Sequence, residues 1–137
     1  MYPAELVLPM KEELLQSGFS ELAPDDVAAK LTAPEGTTLV VINSICGCAA
    51  RTARPGVLQA LAQAEKKPSN LYTVFAGFDF DAVNAVRQQT APFPPSSPAI
   101  GLFKDGELVH FVERHMIEGR SADAIAEHLE AVFDEYC

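Results

Sequence analysis

Basic residues are scarce: ten Lys and Arg stand against nineteen Asp and Glu, for a net charge of −9. No Lys/Arg cluster is present to neutralise phosphates, which argues against a nucleic-acid partner. Cysteine is scarcer still, at three in 137 residues. That is too few for a disulfide framework and points instead to redox or metal chemistry. No uninterrupted apolar stretch approaches the roughly 18–20 residues that span a bilayer, so no membrane partner is expected. Residues 1–9 have no basic stretch, and Glu5 interrupts their apolar run, so they do not read as a signal peptide. The expected location is cytoplasmic, where small-thiol pools keep cysteines reduced. Internal repeats, linkers and low-complexity tracts are lacking too. What remains is 48% hydrophobic and 21% charged, the balance of a globular chain. Its length suits a single domain over residues 1–137.

Pro9, Met10, Leu14 and Leu15 predict a short first helix, with Pro9 in its first turn and Gly18 just past its end. Residues 24–31 predict a second, acidic at its start as the helix dipole favours. Residues 37–43 form a near-continuous β-branched and apolar run, which reads as a strand covered on both faces. The segment Cys46-Gly47-Cys48 follows. Val57, Leu58, Leu61 and Ala62 then have helical spacing, and residues 71–76 read as a second buried strand. Strand, helix and strand at this spacing make a parallel crossover. A helix over 81–89, a proline-rich loop over 92–98 and two strands flanking Asp105-Gly106 come next; Asp-Gly is a strong hairpin signal. Ser121 caps a last helix with Ile125, Leu129, Val132 and Phe133 on one face. The expected fold is α/β: a central mixed four-stranded sheet with helices on both faces and an N-terminal helical extension.

Cys46 stands at the carboxyl end of a buried strand and just before a helix, where open α/β sheets place ligands. A helix N-terminus offers unpaired N–H groups and partial positive charge, and both favour thiolate over thiol. The thiolate is the species that attacks disulfides. Pro55 lies inside the following helix, so a start near Ala49 requires a kink there. Arg51 and Arg54 add positive charge nearby. A second reading stays open, in which the Cys46/Cys48 pair serves a thiolate metal or iron–sulfur carrier. His110, His115 and His128 occur singly, so a closed four-ligand site is hard to assemble from them.

Residues 36–50 through the Cys-Gly-Cys motif, Ala53-Arg54-Pro55, residues 95–98, Val109-His110-Phe111, Arg114-His115, Ile117-Glu118-Gly119 and the ending 133–137 together resemble the bacilliredoxins. The likeness covers essentially the whole chain. It implies a thioredoxin-like fold and removal of bacillithiol from protein mixed disulfides, with weak disulfide-isomerase-like activity. By position it makes Cys46 the attacking cysteine, Cys48 its neighbour in the motif, and Pro98 the cis-proline that faces the redox cysteine. Gly47 is expected to tolerate an irregular backbone between the thiols, and Arg51 or Arg54 to bind a bacillithiol carboxylate. Cys137 is a candidate additional redox thiol. The family's pattern often has Gly where Arg51 stands. No tightly bound cofactor and no metal are implied. Bacillithiol is the implied co-substrate, and the implied partners are S-bacillithiolated client proteins and the system that keeps bacillithiol reduced.

Overall fold

The computed structural model describes residues 1–137. Its elements are α1 (Ala4–Leu15), β1 (Ser20–Glu21), α2 (Val27–Leu31), β2 (Thr37–Asn43), α3 (Arg54–Gln63), β3 (Asn70–Phe75), α4 (Phe80–Gln89), β4 (Ala99–Lys104), β5 (Glu107–Val112), α5 (Arg114–Ile117) and α6 (Ala122–Tyr136). The five strands form one mixed sheet in the order β1-β3-β2-β4-β5. The β-branched run is its centre: every residue of β2 is buried, between parallel β3 and antiparallel β4. Asp105 and Gly106 both have positive φ, 50° and 88°, the backbone a tight hairpin between β4 and β5 requires.

Alternation along β2 divides the core. Leu39 and Val41 face α3 and α6, packing against Val57, Ile125, Leu129 and Phe133. Val40 and Ile42 face the opposite layer, with Val27, Leu31, Val83 and Val86 of α2 and α4. Period-two alternation thus supplies both cores from one strand. Trimming one such side chain, for example Leu129→Ala, costs about 2–5 kcal/mol. α3 and α6 approach closely at Gly56, where an added Cβ would lie 2.7 Å from the Ile125 side chain.

Three elements differ from the sequence expectation. The sheet has a fifth strand, β1, whose two exposed residues pair in parallel with Tyr72 and Thr73; two polar residues carry no strand pattern. α1 begins at Ala4 and holds Pro9 in its interior. Burial of Val7, Lys11 and Leu14 against the body of the protein outweighs the missing N–H. A short helix, α5, follows β5 after Glu113, between the hairpin and the last helix, where the sequence pattern predicts no element. The helix after Cys-Gly-Cys does reach back past Pro55, to Gly47, and Ala49–Ala53 within it is a π-helical turn leading into α3. Pro55 has no N–H to close the preceding turn, and a wider turn accommodates it. Thr52 Oγ1 donates to the Cys48 carbonyl at 2.6 Å in that turn.

Candidate active site

The loop from β2 to the helix is held by a buried polar network. Asn43, the polar end of an otherwise apolar strand, is 1% exposed. Its Nδ2 donates to the Met10 carbonyl (3.1 Å), and its Oδ1 accepts from Ser44 N (2.8 Å) and Arg54 Nη1 (2.9 Å). The same Nη1 donates to the Ser44 carbonyl at 3.0 Å. Arg54 Nε lies 3.1 Å from Glu13 Oε1 of α1, an ion pair without hydrogen-bond alignment. Ser44 Oγ accepts from Cys46 N at 3.1 Å. Two elements, α1 and α3, therefore clamp Asn43 and Ser44, which lead to Cys46.

Cys46 occupies the N-cap position. Its carbonyl accepts from Ala49 N (3.0 Å) and Ala50 N (3.3 Å), and its sulfur accepts from Cys48 N (3.4 Å). A sulfur so placed receives helix N–H groups that have no other partner. Burial raises the Cys46 pKa. Hydrogen bonds from the Cys48 thiol and from the Cys48 and Ala49 amides, with the positive charge of Arg114, outweigh that effect and bring the pKa below the ordinary thiol value. Cys48 moves the other way: burial, its hydrogen bond to Cys46, the Cys46 charge and Glu118 raise it, against a smaller opposing effect of Arg114. The Cys48 thiol is placed to donate to the Cys46 sulfur. Both are free thiols. Both are half-buried, and neither lines any of the three surface hollows.

The expected site residues take different places. Gly47 does not have the left-handed backbone, and it starts the helix. A Cβ there would lie 3.1 Å from Arg51 Nη2, so its smallness admits the Arg51 guanidinium over the motif. Arg54 is 2% exposed and committed to the loop network; the expected contact with a substrate carboxylate gives way to positioning of Asn43 and Ser44. Pro98 is buried, and the Ser97–Pro98 peptide is cis, as is Ala91–Pro92. Cys137 lies at the wrong end of the sheet. It neighbours Thr37, Lys66 and Lys104, whereas Cys46 follows Asn43 at the other end of β2, six strand steps or roughly 20 Å from Thr37. Burial raises its pKa despite a hydrogen bond with Thr37.

Sequence reasoning passed over Arg114 and Glu118. Arg114 opens α5, donating from its backbone N to Ser96 Oγ (3.3 Å) and from Nη1 to the Ser97 carbonyl (3.4 Å). Glu118 Oε1 accepts from Arg114 Nε at 2.6 Å. This guanidinium thus touches the segment before Pro98 while its charge acts on both thiols. Its position in a motif was visible, but without the hairpin nothing brings residue 114 beside residue 46. Exposed His115 pairs with half-buried Glu113 (3.1 Å). No third His, Cys, Asp or Glu groups with the two cysteines to complete a metal-ligand set.

A family model described as disulphide isomerase matches residues 2–137. A bacilliredoxin of Cytophaga hutchinsonii is 62% identical over 136 residues, spanning 98% of this chain and 99% of its own. The chain belongs to the bacilliredoxin family. Another bacilliredoxin, from Bacillus cereus, is 47% identical over 137 residues, spanning 99% of this chain and 95% of its own. Two solved thioredoxins share the architecture at a TM-score of 0.55. That of Malassezia sympodialis is 15% identical and covers 87% of this chain and 90% of its own; that of Aeropyrum pernix is 14% identical and covers 82% and 85%. At such identity the likeness speaks for the fold alone, which is thioredoxin-like with a fifth, two-residue strand. As a bacilliredoxin the chain is a thiol–disulfide oxidoreductase. No helix is long and apolar enough to cross a membrane.

Proposed function

We propose that the protein removes bacillithiol from protein mixed disulfides, with Cys46 as nucleophile. The observation that carries this reading is the half-buried Cys46 sulfur at a helix N-cap, accepting the Cys48 N–H. The Cys46 thiolate attacks the bacillithiol sulfur of the mixed disulfide. The protein–bacillithiol S–S bond breaks, the client leaves as thiolate and takes a proton from solvent, and a Cys46–bacillithiol disulfide forms. A second bacillithiol thiolate then attacks this adduct. Cys46 thiolate is regenerated, and bacillithiol disulfide, the oxidised product, goes to a separate reducing system. Bacillithiol is the co-substrate, and no bound metal or cofactor enters either step. The setting is the reducing cytoplasm, and the partners are S-bacillithiolated proteins rather than nucleic acid or membrane.

External resolution is the expected route. Gly47 and Cys48 are in the helix while Cys46 caps it, so an internal Cys46–Cys48 bond would have to unwind the first turn. Cys137 is out of reach of Cys46 in the same chain. The test is mass spectrometry of a bacillithiolated client with wild-type, Cys46→Ala and Cys48→Ala protein, with and without free bacillithiol. Cys46→Ala abolishes removal of the adduct and Cys48→Ala retains much of it. Without free thiol, the adduct persists on Cys46. Equal, complete loss in both variants, or rapid conversion to an internal disulfide, overturns the proposed route. Stoichiometric metal in the reduced protein would favour the carrier reading instead.

A further inference from the structure

We infer that Arg114, with Arg51 across the motif, is the specificity element that reads the carboxylates of an anionic low-molecular-weight thiol as its sulfur reaches Cys46. The inference rests on the proposed function and deepens it. Client proteins differ in shape and charge, so the constant part of every substrate is the small thiol. Fixed charge beside Cys46 is therefore best matched to that part. Two guanidinium groups stand there, brought from separate elements. Arg51, in the π-helical turn, lies over Gly47, where a Cβ would sit 3.1 Å from its Nη2. Arg114, on α5, is tied to the segment before Pro98 through Ser96 and Ser97.

Both arginines are exposed, in contrast to Arg54, whose donors are spent on Asn43 and Ser44. Arg114 is also oriented. Glu118 receives Nε (2.6 Å) and the Ser97 carbonyl receives Nη1 (3.4 Å), which leaves the second amino group of the fork for a ligand. A guanidinium held by one carboxylate presents its remaining donors at a defined angle, the arrangement suited to a second carboxylate. The protein as a whole carries a charge of −9. An anionic thiol is repelled by most of its surface, so local positive charge at Cys46 decides where such a ligand settles.

Arg114 also lowers the Cys46 pKa, and the test must separate that effect, which acts on every substrate, from recognition, which acts on anionic ones. One client protein is prepared as mixed disulfides with bacillithiol, with glutathione (also carboxylate-bearing) and with neutral β-mercaptoethanol. The ratio of kcat/KM for each anionic adduct to that for the neutral adduct is then measured at a pH where Cys46 is fully ionised. Wild type prefers the anionic adducts, and the preference falls as salt rises. Arg114→Gln lowers the ratio about tenfold, as loss of one charge-assisted hydrogen bond at an exposed site implies. Arg114→Lys restores part of it, and Arg51→Ala lowers it by a smaller factor. A ratio unchanged in Arg114→Gln, or equal loss on charged and neutral adducts, overturns the inference. If wild type acts on the glutathione adduct but not the bacillithiol one, the bacillithiol reading fails while the glutathione ratio still decides Arg114.

Discussion

Replacing Arg54 with Met isolates what the buried network does for the loop that carries Cys46. Met keeps most of the side-chain packing in a site only 2% exposed and removes the donors. Asn43 Oδ1 retains Ser44 N at 2.8 Å, so it stays partly satisfied, whereas the Ser44 carbonyl loses the Nη1 donor 3.0 Å away. A hydrogen bond from a charged group contributes about 1.5–3 kcal/mol net, and a stranded buried acceptor costs about 1–3 kcal/mol. Glu13 is 45% exposed, so its carboxylate returns to water and the lost ion pair adds at most about 1 kcal/mol. Relief from burying a guanidinium offsets part of the total. The net expectation is a loss of about 2–3 kcal/mol, or about 6–12 °C in Tm for a chain of this size. Urea denaturation supplies the free energy. The rate of Cys46 alkylation below its pKa reports whether the loop still presents the sulfur to the helix amides, and it should fall as the thiolate loses its fixed donors. Unchanged or increased stability together with unchanged alkylation would show that the network does not hold the loop.

His110 on β5 and His128 on α6 face each other with their Nε2 atoms 2.8 Å apart, a contact in which one nitrogen must donate and the other accept, so the pair cannot hold both extra protons. Burial first, and then the His128 charge, hold the His110 pKa below the ordinary value of 6.5 despite Glu135. The pair's stabilisation is therefore present above that ordinary value and is lost as pH falls through the lower, folded-state pKa; pH-dependent urea midpoints should decline on acidification, less so in His128→Phe, and parallel curves for the two proteins would refute this. Gly56→Ala should cost about 1–3 kcal/mol by overpacking, because the new Cβ lies 2.7 Å from both Cβ and Cγ2 of Ile125 and 3.1 Å from the Ala122 carbonyl; urea denaturation measures the loss, and a neutral Gly56→Ala would mean that the α3–α6 spacing adjusts freely.

Much of this protein is local, and local features are legible in sequence. The bounds of β2, β4 and β5 follow from β-branched runs and an Asp-Gly turn, and Ser121 caps α6 by accepting from Ala124 N. The strand–Cys-Gly-Cys–helix order places Cys46 at a helix start, since a thiol there is a property of adjacent residues and the backbone dipole. Long-range partners decided the rest. Arg51 and Arg54 are three residues apart with the same charge, yet one lies over the motif and the other is buried. Only the packing of α1 against the end of β2 brings Glu13 and Met10 to receive Arg54 and Asn43. Arg114 reaches the thiols because the β4–β5 hairpin returns the chain to the end of the sheet where Cys46 sits. Cys137 is kept away because α6 ends beside Thr37. His110 and His128 meet through a strand and a helix whose separation in sequence carries no pairing signal. Local pattern places Cys46 at the helix start, whereas which charges surround it depends on contacts that form only when distant segments pay the entropy of coming together.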